Sequence, residues 1–200
     1  TIQSLLVQNA EIEIIVMDDC SQDSSTKIVK QMMLKDSRIK LFNNSHNYGF
    51  CKTVNEGIKK ALGKYIIVLG QDDILDANHI EIMSSKFDDD TVMVFCDYDL
   101  IDENGIVFDT SDHCIHRDLK STDFYKNNCL PSPGLMIRRE SLVKAGYYFE
   151  SVEYKNYGEY HTWIRLSLIG KIVFCDNVRA KYRRHNTNIS NTFVNKDTKQ

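Results

Sequence analysis

Two apolar runs in this chain are each followed by a pair of aspartates. Residues 12–16 precede Asp18-Asp19, and residues 65–69 precede Asp72-Asp73. Short runs of this kind are typical of strands buried within an α/β sheet. Because open α/β sheets bind ligands at the carboxyl ends of their strands, both acid pairs are expected at one ligand-binding edge. Crowded carboxylates need a cation or hydrogen-bond donors to offset their repulsion, which favours a metal-assisted, nucleotide-dependent enzyme.

The rest of the chain alternates strand and helix patterns. Strands are predicted at 12–17, 39–42, 65–69 and 92–95, with helices after Ser24, at 50–62 and at 76–87. This order predicts an α/β fold, with a mostly parallel sheet flanked by helices around a Rossmann-like core. Weaker patterns predict strands at 106–108, 135–137 and 172–174 and helices at 139–145 and 159–169. The chain opens on an amphipathic helical segment, residues 1–7, so we expect the sheet to lack an N-terminal strand.

Composition narrows the class of protein. The 200 residues are 42% hydrophobic and 26% charged, which is ordinary for one globular domain. A net charge of −3 gives no general attraction to nucleic acid. The six cysteines show no CxxC spacing, which favours reduced thiols over a disulfide framework or a zinc site. No stretch approaches the ~18 apolar residues of a membrane span. We therefore expect a cytoplasmic domain without a nucleic-acid partner.

Five short motifs carry a family resemblance. They are Met17–Ser24; Asn47–Gly49 with Asn55–Gly57 and Ala61–Tyr65; Leu69–Asp73; Tyr157–Arg165; and Tyr182–Ser190. In this order they resemble the motifs of bacterial family 2 glycosyltransferases, which have the GT-A fold. Cys20 stands where that family usually has glycine, and Gly70 replaces the first aspartate of its metal motif.

The resemblance implies one GT-A domain over residues 1–190, truncated at its N-terminus. Residues 1–97 would form the nucleotide-sugar-binding half and residues 98–190 the acceptor and catalytic half, before a polar tail at 191–200. The implied reaction moves a sugar, with inversion, from a nucleoside diphosphate sugar to an acceptor hydroxyl. A UDP-sugar is the first-choice donor, and the acceptor would be a saccharide or lipid-linked saccharide in cell-surface polysaccharide synthesis. Peripheral membrane association is left open.

The implied cofactor is a divalent metal, Mg²⁺ or Mn²⁺, which would hold the diphosphate and stabilise the leaving group. Asp73 is the first choice of metal ligand, and Asp72 would face the metal or the donor sugar. By resemblance, His185 would lie near the metal or the diphosphate. The alternative for Asp72-Asp73 is that both acids only cap the turn before the next helix.

The same resemblance directs other residues at the nucleotide. Asp19 would accept a hydrogen bond from the base, and Asp18 would support the turn or the ribose. Lys52 and Arg184 would face the diphosphate, although a solvated helix position is the preferred interpretation of Lys52. Simple helix capping is preferred for Ser21 and Asp23.

Glu159 falls at the position of the family's catalytic base, which would deprotonate the acceptor hydroxyl. A second alignment places Tyr160 there and would indicate an inactive protein. A third interpretation makes Glu159 an exposed first-turn glutamate stabilised by the helix dipole. Trp163 and Arg165 would hold this helix against the core.

Two other functions are weighed. One is a non-catalytic remnant of the fold that binds nucleotide or glycan, suggested by Gly70 and by the glutamate at position 159. The other is a nucleotidyltransferase on a similar sheet, which the later motifs argue against.

Overall fold

The computed structural model describes residues 1–125, 128, 130, 133–151, 158–186 and 188. The helices are α1 (Ile2–Leu6), α2 (Ser25–Met33), α3 (Phe50–Lys60), α4 (His79–Ser84), α5 (Arg139–Lys144) and α6 (Gly158–Ser167). The strands are β1 (Ile14–Asp18), β2 (Ile39–Asn43), β3 (Tyr65–Ile66), β4 (Ile74–Leu75), β5 (Thr91–Ile101), β6 (Val107–Asp109), β7 (Leu135–Arg138) and β8 (Lys171–Arg183). A 3-10 helix spans Ser121–Tyr125. No described helix is long and apolar enough to cross a membrane.

The strands form two sheets. β1 and β2 pair in parallel, and a six-stranded sheet has the order β3-β7-β5-β8-β4, with β6 beside β5. Only β5 and β8 run parallel among the described pairs of the larger sheet. The α/β class is therefore confirmed, but the expected mostly parallel sheet is mixed. β7 enters between β3 and β5 after a long loop, and an antiparallel neighbour needs no crossover helix.

β5 organises the core because both of its faces are buried. Met93 and Phe95 pack into the larger cluster with Trp163, while Val94 and Cys96 alternate onto the opposite face. This alternation follows from the two-residue period of a strand. β5 also runs without a break through residue 97, so the two halves expected from the sequence share one sheet.

The smaller sheet packs on α1 and α2 through Ile14, Val29 and Ile39. Leu5 of α1 contacts both this cluster and the core beside α4, so α1 joins the two sheets. In the described part of the chain, β1 pairs only with β2 and β3 only with β7. The expected missing strand stays a prediction.

Several elements differ in length from the prediction. β3 covers two residues of the expected 65–69 segment, and α4 is shorter than the expected 76–87 helix. β5 and β8 are far longer than expected, because they pair with each other along polar as well as apolar residues. β4 was not anticipated. Tyr157 and the 191–200 tail lie outside the described residues.

Candidate functional site

The turn from Gly70 to Asp73, called the acid turn below, connects β3 to β4. Asp73 is only 5% exposed, and its Oδ1 accepts a hydrogen bond of 3.1 Å from the Arg183 backbone N–H. Burial raises the pKa of this carboxyl to about 6, against the opposing backbone hydrogen bond, and the neighbouring Asp72 adds to the rise. A buried, weakly compensated carboxylate of this kind is ready to accept a cation.

The second acid of the turn contacts the histidine predicted from the sequence. Asp72 Oδ2 lies 2.9 Å from His185 Nε2, just beyond the end of β8. Asn188 completes this contact, because its Nδ2 lies 3.4 Å from Asp72 Oδ2 and its Oδ1 accepts the His185 backbone N–H at 2.6 Å. The structure therefore brings His185 next to the acid turn, although it lies 113 positions after Asp72 in the sequence.

Arg183 fixes the shape of the acid turn. Its Nε donates to the Asp72 carbonyl at 2.9 Å, while Nη1 donates to the carbonyls of Asp102 at 2.5 Å and Glu103 at 3.0 Å. One guanidinium thus joins the acid turn, the turn after β5 and the end of β8. Because its hydrogen bonds go to backbone carbonyls, Arg183 acts on the position of the acids.

The donor set of the acid turn fits a hard divalent cation. A Cβ placed on Gly70 would lie 2.9 Å from Asp73 Oδ2 and 3.0 Å from Asp72 Oδ1, so both oxygens face the same small space. Neither oxygen takes part in the contacts to Arg183 and His185 described above. Carboxylate oxygens are the ligand type that Mg²⁺ prefers.

Metal binding at the acid turn stays a prediction. Among the described side chains, one group of three has ligand atoms all within 4.8 Å of one another, and it is Asp97 with Cys114 and His116. The ligand atoms of Asp72, Asp73 and His185 do not all lie within that distance of one another.

Asp19 has a clear role inside the protein. Its Oδ1 accepts hydrogen bonds from Asn44 Nδ2 at 2.8 Å and the Tyr48 N–H at 2.7 Å, and its Oδ2 accepts the Gly49 N–H at 2.9 Å. Although partial burial opposes ionisation, these donors together lower the pKa of Asp19. Gly49 precedes α3 with a φ of 80°, which favours glycine. Asp19 therefore holds the start of α3, and its contact with a base stays a prediction.

The other predicted nucleotide-binding residues make local contacts. Asp18 Oδ2 accepts the Ser21 N–H at 3.3 Å, which matches its expected support of the turn. The exposed Lys52 has its Nζ 4.2 Å from the centre of the Tyr48 ring. Arg184 is also exposed, with its guanidinium 5.8 Å from the Tyr182 ring. The predicted contacts of Lys52 and Arg184 with a diphosphate remain predictions.

Glu159 lies in the first turn of α6 and is partly buried. Desolvation raises the pKa of its carboxyl to about 7, and burial of the Cys51 thiol, together with the charge of Glu159, raises the pKa of that thiol to about 11. No hydrogen bond or ion pair is recorded between Glu159 and the described residues. The interpretation of Glu159 as an exposed glutamate stabilised by the helix dipole does not fit, because the dipole would lower the pKa of its carboxyl, whereas burial raises it. Tyr160 is engaged elsewhere, because its hydroxyl donates to the Phe124 carbonyl.

Close packing places Glu159 next to α3. A Cβ on Gly158 would lie 2.4 Å from both Cys51 Sγ and the Phe149 carbonyl oxygen, so only glycine allows α6 to approach this closely. Cys51 follows the helix start held by Asp19. The Asp19 and Glu159 groups are therefore linked through the first turn of α3.

Three further side chains anchor this region. Trp163 is 1% exposed and packs edge-to-face on Tyr148 at 5.4 Å. Arg165 donates to the carbonyls of Ala145 at 2.6 Å and Tyr147 at 2.8 Å, as its expected supporting role requires. Asn55 exchanges hydrogen bonds with the backbone of Tyr148 and donates to Glu150 Oε1 at 2.7 Å. α6 is thus held rigidly against the core.

In the described structure, the predicted site residues form two separate groups and do not line one enclosed pocket. The acid turn with His185 forms the first, and Asp19 with Glu159 across the start of α3 forms the second. The two cavities that are described lie elsewhere, along α2 and between α3 and residues 146–150. Arg183 and Asn188 were given no positioning role from the sequence, although the Tyr182–Ser190 motif contains both.

Comparisons with known proteins show which family the chain matches. The model of the family "Glycosyl transferase family 2" matches residues 1–146. A glucosyltransferase of Escherichia coli, described as UDP-Glc:alpha-D-GlcNAc-diphosphoundecaprenol beta-1,3-glucosyltransferase, is 27% identical over 95% of this chain and 73% of its own. An uncharacterised glycosyltransferase of Rickettsia prowazekii is 30% identical over 97% of this chain. The chain spans 62% of the length of that relative.

Solved structures show the same fold. Staphylococcus aureus TarS in complex with UDP-GlcNAc has a TM-score of 0.70 at 19% identity, covering 94% of this chain and 54% of TarS. GalNAc-T7 with UDP, GalNAc and Mn²⁺ has a TM-score of 0.67 at 17% identity, covering 92% and 40%. The expected GT-A architecture is thereby confirmed.

Proposed function

This chain belongs to glycosyl transferase family 2, and on that premise we propose that it transfers a sugar from a nucleoside diphosphate sugar to an acceptor hydroxyl with inversion. The observation that carries the proposal is Glu159. An acid with a pKa of about 7, without a hydrogen-bond partner among the described residues and held on a rigid helix, is suited to act as a general base near neutral pH.

The acid turn would supply the electrostatic part of catalysis. Asp73 and Asp72 would hold Mg²⁺ or Mn²⁺, with His185 orienting Asp72 or joining the coordination shell. The cation would offset the charge that develops on the diphosphate as the bond to the sugar breaks. This assignment is supported by the convergence of both free carboxylate oxygens beside Gly70 and by the Mn²⁺ in the GalNAc-T7 structure.

The donor and acceptor can be proposed by class. UDP-sugars are named for the E. coli relative and for TarS, which supports a UDP-sugar here. The E. coli relative acts on a diphosphoundecaprenol-linked sugar, which supports a lipid-linked saccharide acceptor in polysaccharide synthesis. Such an acceptor would require a membrane-facing surface on the cytoplasmic side. The face of α2 that carries Lys27, Lys30 and the 89% exposed Leu34 has suitable chemistry.

A matched pair of variants tests the proposal. The full chain is assayed for UDP release with a panel of UDP-sugars, Mn²⁺ and lipid-linked acceptors. Glu159→Gln should lower kcat about 10²- to 10⁴-fold while leaving the affinity for UDP and Mn²⁺ unchanged in calorimetry. Glu56→Gln, at a half-buried position of α3 where Glu56 pairs with Lys59, should change neither quantity. Full activity of Glu159→Gln would overturn the assignment of the base.

A non-catalytic remnant is the second candidate. It is favoured by Gly70, which removes one acid of the family's metal motif, and by the contact of Asp72 with His185, which occupies one oxygen of Asp72. Calorimetry separates the two functions. Binding of UDP with Mn²⁺ but no turnover of any donor or acceptor would favour the remnant.

A further inference from the structure

A second group of ligand-type side chains lies apart from the acid turn. Asp97 is at the end of the buried apolar stretch of β5, and Cys114 and His116 lie in the loop after β6. Their carboxylate oxygen, sulfur and ring nitrogen all lie within 4.8 Å of one another. The scattered cysteine spacing gave no sign of this group, because it forms only when the loop packs on β5.

We propose that Asp97, Cys114 and His116 form a structural binding site for Zn²⁺. The combination of thiolate, imidazole and carboxylate is the donor set that zinc prefers, whereas Mg²⁺ and Mn²⁺ prefer oxygen alone. The exposed Asp112 lies beside this group, with its Oδ1 3.4 Å from His116 Nε2, and would have to move closer to Asp97 and Cys114 to become the fourth ligand. Four ligands of these types are what a closed zinc site needs.

The ligands are already oriented by their neighbours. Asp97 is 2% exposed and accepts hydrogen bonds from the backbone N–H groups of Tyr98 at 2.8 Å and His113 at 3.0 Å. The His116 ring stacks on Phe174 at 4.7 Å. Supporting contacts of this kind fix the direction of the donor atoms before an ion arrives.

The change needed to admit an ion is small. His116 Nε2 and Asp97 Oδ2 are 2.6 Å apart, a distance at which they share a proton. Around a tetrahedral zinc ion the same atoms would lie about 3.3 Å apart. These two atoms would therefore move about 0.7 Å apart as the ion replaces that proton. Burial and the Asp97 charge raise the pKa of the Cys114 thiol to about 12, so the thiol keeps its proton until zinc, which binds the thiolate, displaces it.

Arg179 is the cation already facing this group. Its Nη1 is 3.7 Å from Asp97 Oδ2 and 3.5 Å from Asp112 Oδ1, too far for strong hydrogen bonds. Its Nε donates to Asp99 at 2.6 Å, and its Nη2 donates to the Ser111 carbonyl at 2.8 Å. Arg179 is thus largely compensated by Asp99, and it steadies the loop that carries the ligands. Asp97 and Asp112 therefore keep an excess of negative charge that a divalent cation would offset.

Co²⁺ provides a test that does not depend on enzymatic activity. The reduced full chain is titrated with Co²⁺, which takes tetrahedral sites and gives a sulfur-to-metal charge-transfer band only with a thiolate ligand. We expect one equivalent to produce the band and Zn²⁺ to remove it. The band should persist in Cys20→Ala and in Asp73→Asn, which separates this site from the acid turn.

Two variants decide the outcome. Cys114→Ser should abolish the band, and His116→Ala, at a more exposed position, should weaken Co²⁺ binding at least about 100-fold. Circular dichroism checks that each variant is folded. Absence of the band in the unsubstituted chain would overturn the proposal. So would a band that survives Cys114→Ser, or affinity unchanged in His116→Ala.

Discussion

Replacing Glu159 with glutamine should stabilise the protein in a pH-dependent way. Desolvation raises the pKa of this carboxyl from 4.5 to about 7. Between these pH values the unfolded chain releases the proton while the folded chain keeps it, so the stability of the unsubstituted protein falls as pH rises. Each pKa unit corresponds to about 1.4 kcal/mol, which sets a ceiling of about 3 kcal/mol. Because Glu159 is only partly buried, we expect about 1–2 kcal/mol above pH 7 and no difference below pH 4.5.

Urea denaturation of the unsubstituted chain and Glu159→Gln at pH 4.5, 6, 7 and 8 measures this effect. The difference in the free energy of unfolding should grow between pH 4.5 and 7 and then stay constant. Glu56→Gln removes a carboxyl whose pKa is lowered by Lys59, so it should give no such gain. A difference for Glu159→Gln that is the same at every pH would refute the reasoning, because ionisation would then not be its source.

Three other substitutions follow from the packing of the site. Arg183→Lys loses the fork to backbone carbonyls, so it should cost about 1.5–3 kcal/mol in urea denaturation and weaken Mn²⁺ binding to the acid turn about 10- to 100-fold in calorimetry. Cys20 has a φ of 67°, so Cys20→Gly should raise the free energy of unfolding by about 0.5–1 kcal/mol. Gly158→Ala should cost about 1–3 kcal/mol and lower kcat, because the added Cβ meets Cys51 and displaces α6.

Each of these has a result that contradicts it. Unchanged Mn²⁺ affinity in Arg183→Lys would show that the acid turn keeps its shape without the fork. Cys20→Ala is the control for backbone strain, because alanine keeps the left-handed penalty; equal stability of the glycine and alanine variants would exclude strain at this position. Retention of full stability by Gly158→Ala would mean that α6 can move away from α3 at no cost.

Local sequence patterns predicted the elements that pack by local rules. α2, α3, α5 and α6 were located because each has an apolar face at helical spacing, and the expected Gly146, with a φ of 81°, follows directly after the C-cap of α5. The long pairing of β5 with β8 was not predicted, because residues 97–101 and 179–183 contain several charged residues and gain strand structure from pairing with each other and with β4 and β6. The direction of β7 was mispredicted because tertiary contacts, and not the local sequence, place it between β3 and β5.

The candidate site divides along similar lines. Asp72, Asp73 and His185 come from two motifs far apart in sequence, and the fold brings them together, while their binding of a metal remains a prediction. Asp19 accepts hydrogen bonds from Asn44 and from the start of α3, and its predicted contact with a base remains untested. A motif records that an acid is needed but does not distinguish an acid that binds a ligand from one that shapes the loop beside it. Hydrogen-bond partners in the structure supply that distinction.

The unfavourable ionisation of Glu159 can persist only because α6 is anchored independently of it. Removing a buried side chain of the size of Trp163 costs about 3–5 kcal/mol, which exceeds the 1–2 kcal/mol expected for the charge. Arg165 adds two hydrogen bonds to carbonyls on the segment before α6. The helix therefore cannot rotate to hydrate the carboxylate without losing more than it gains. Weakening this anchor should let Glu159 reach water, so Trp163→Phe should lower the pH at which activity is half-maximal, and an unshifted pH profile with normal folding would show that desolvation is not enforced by the packing of α6.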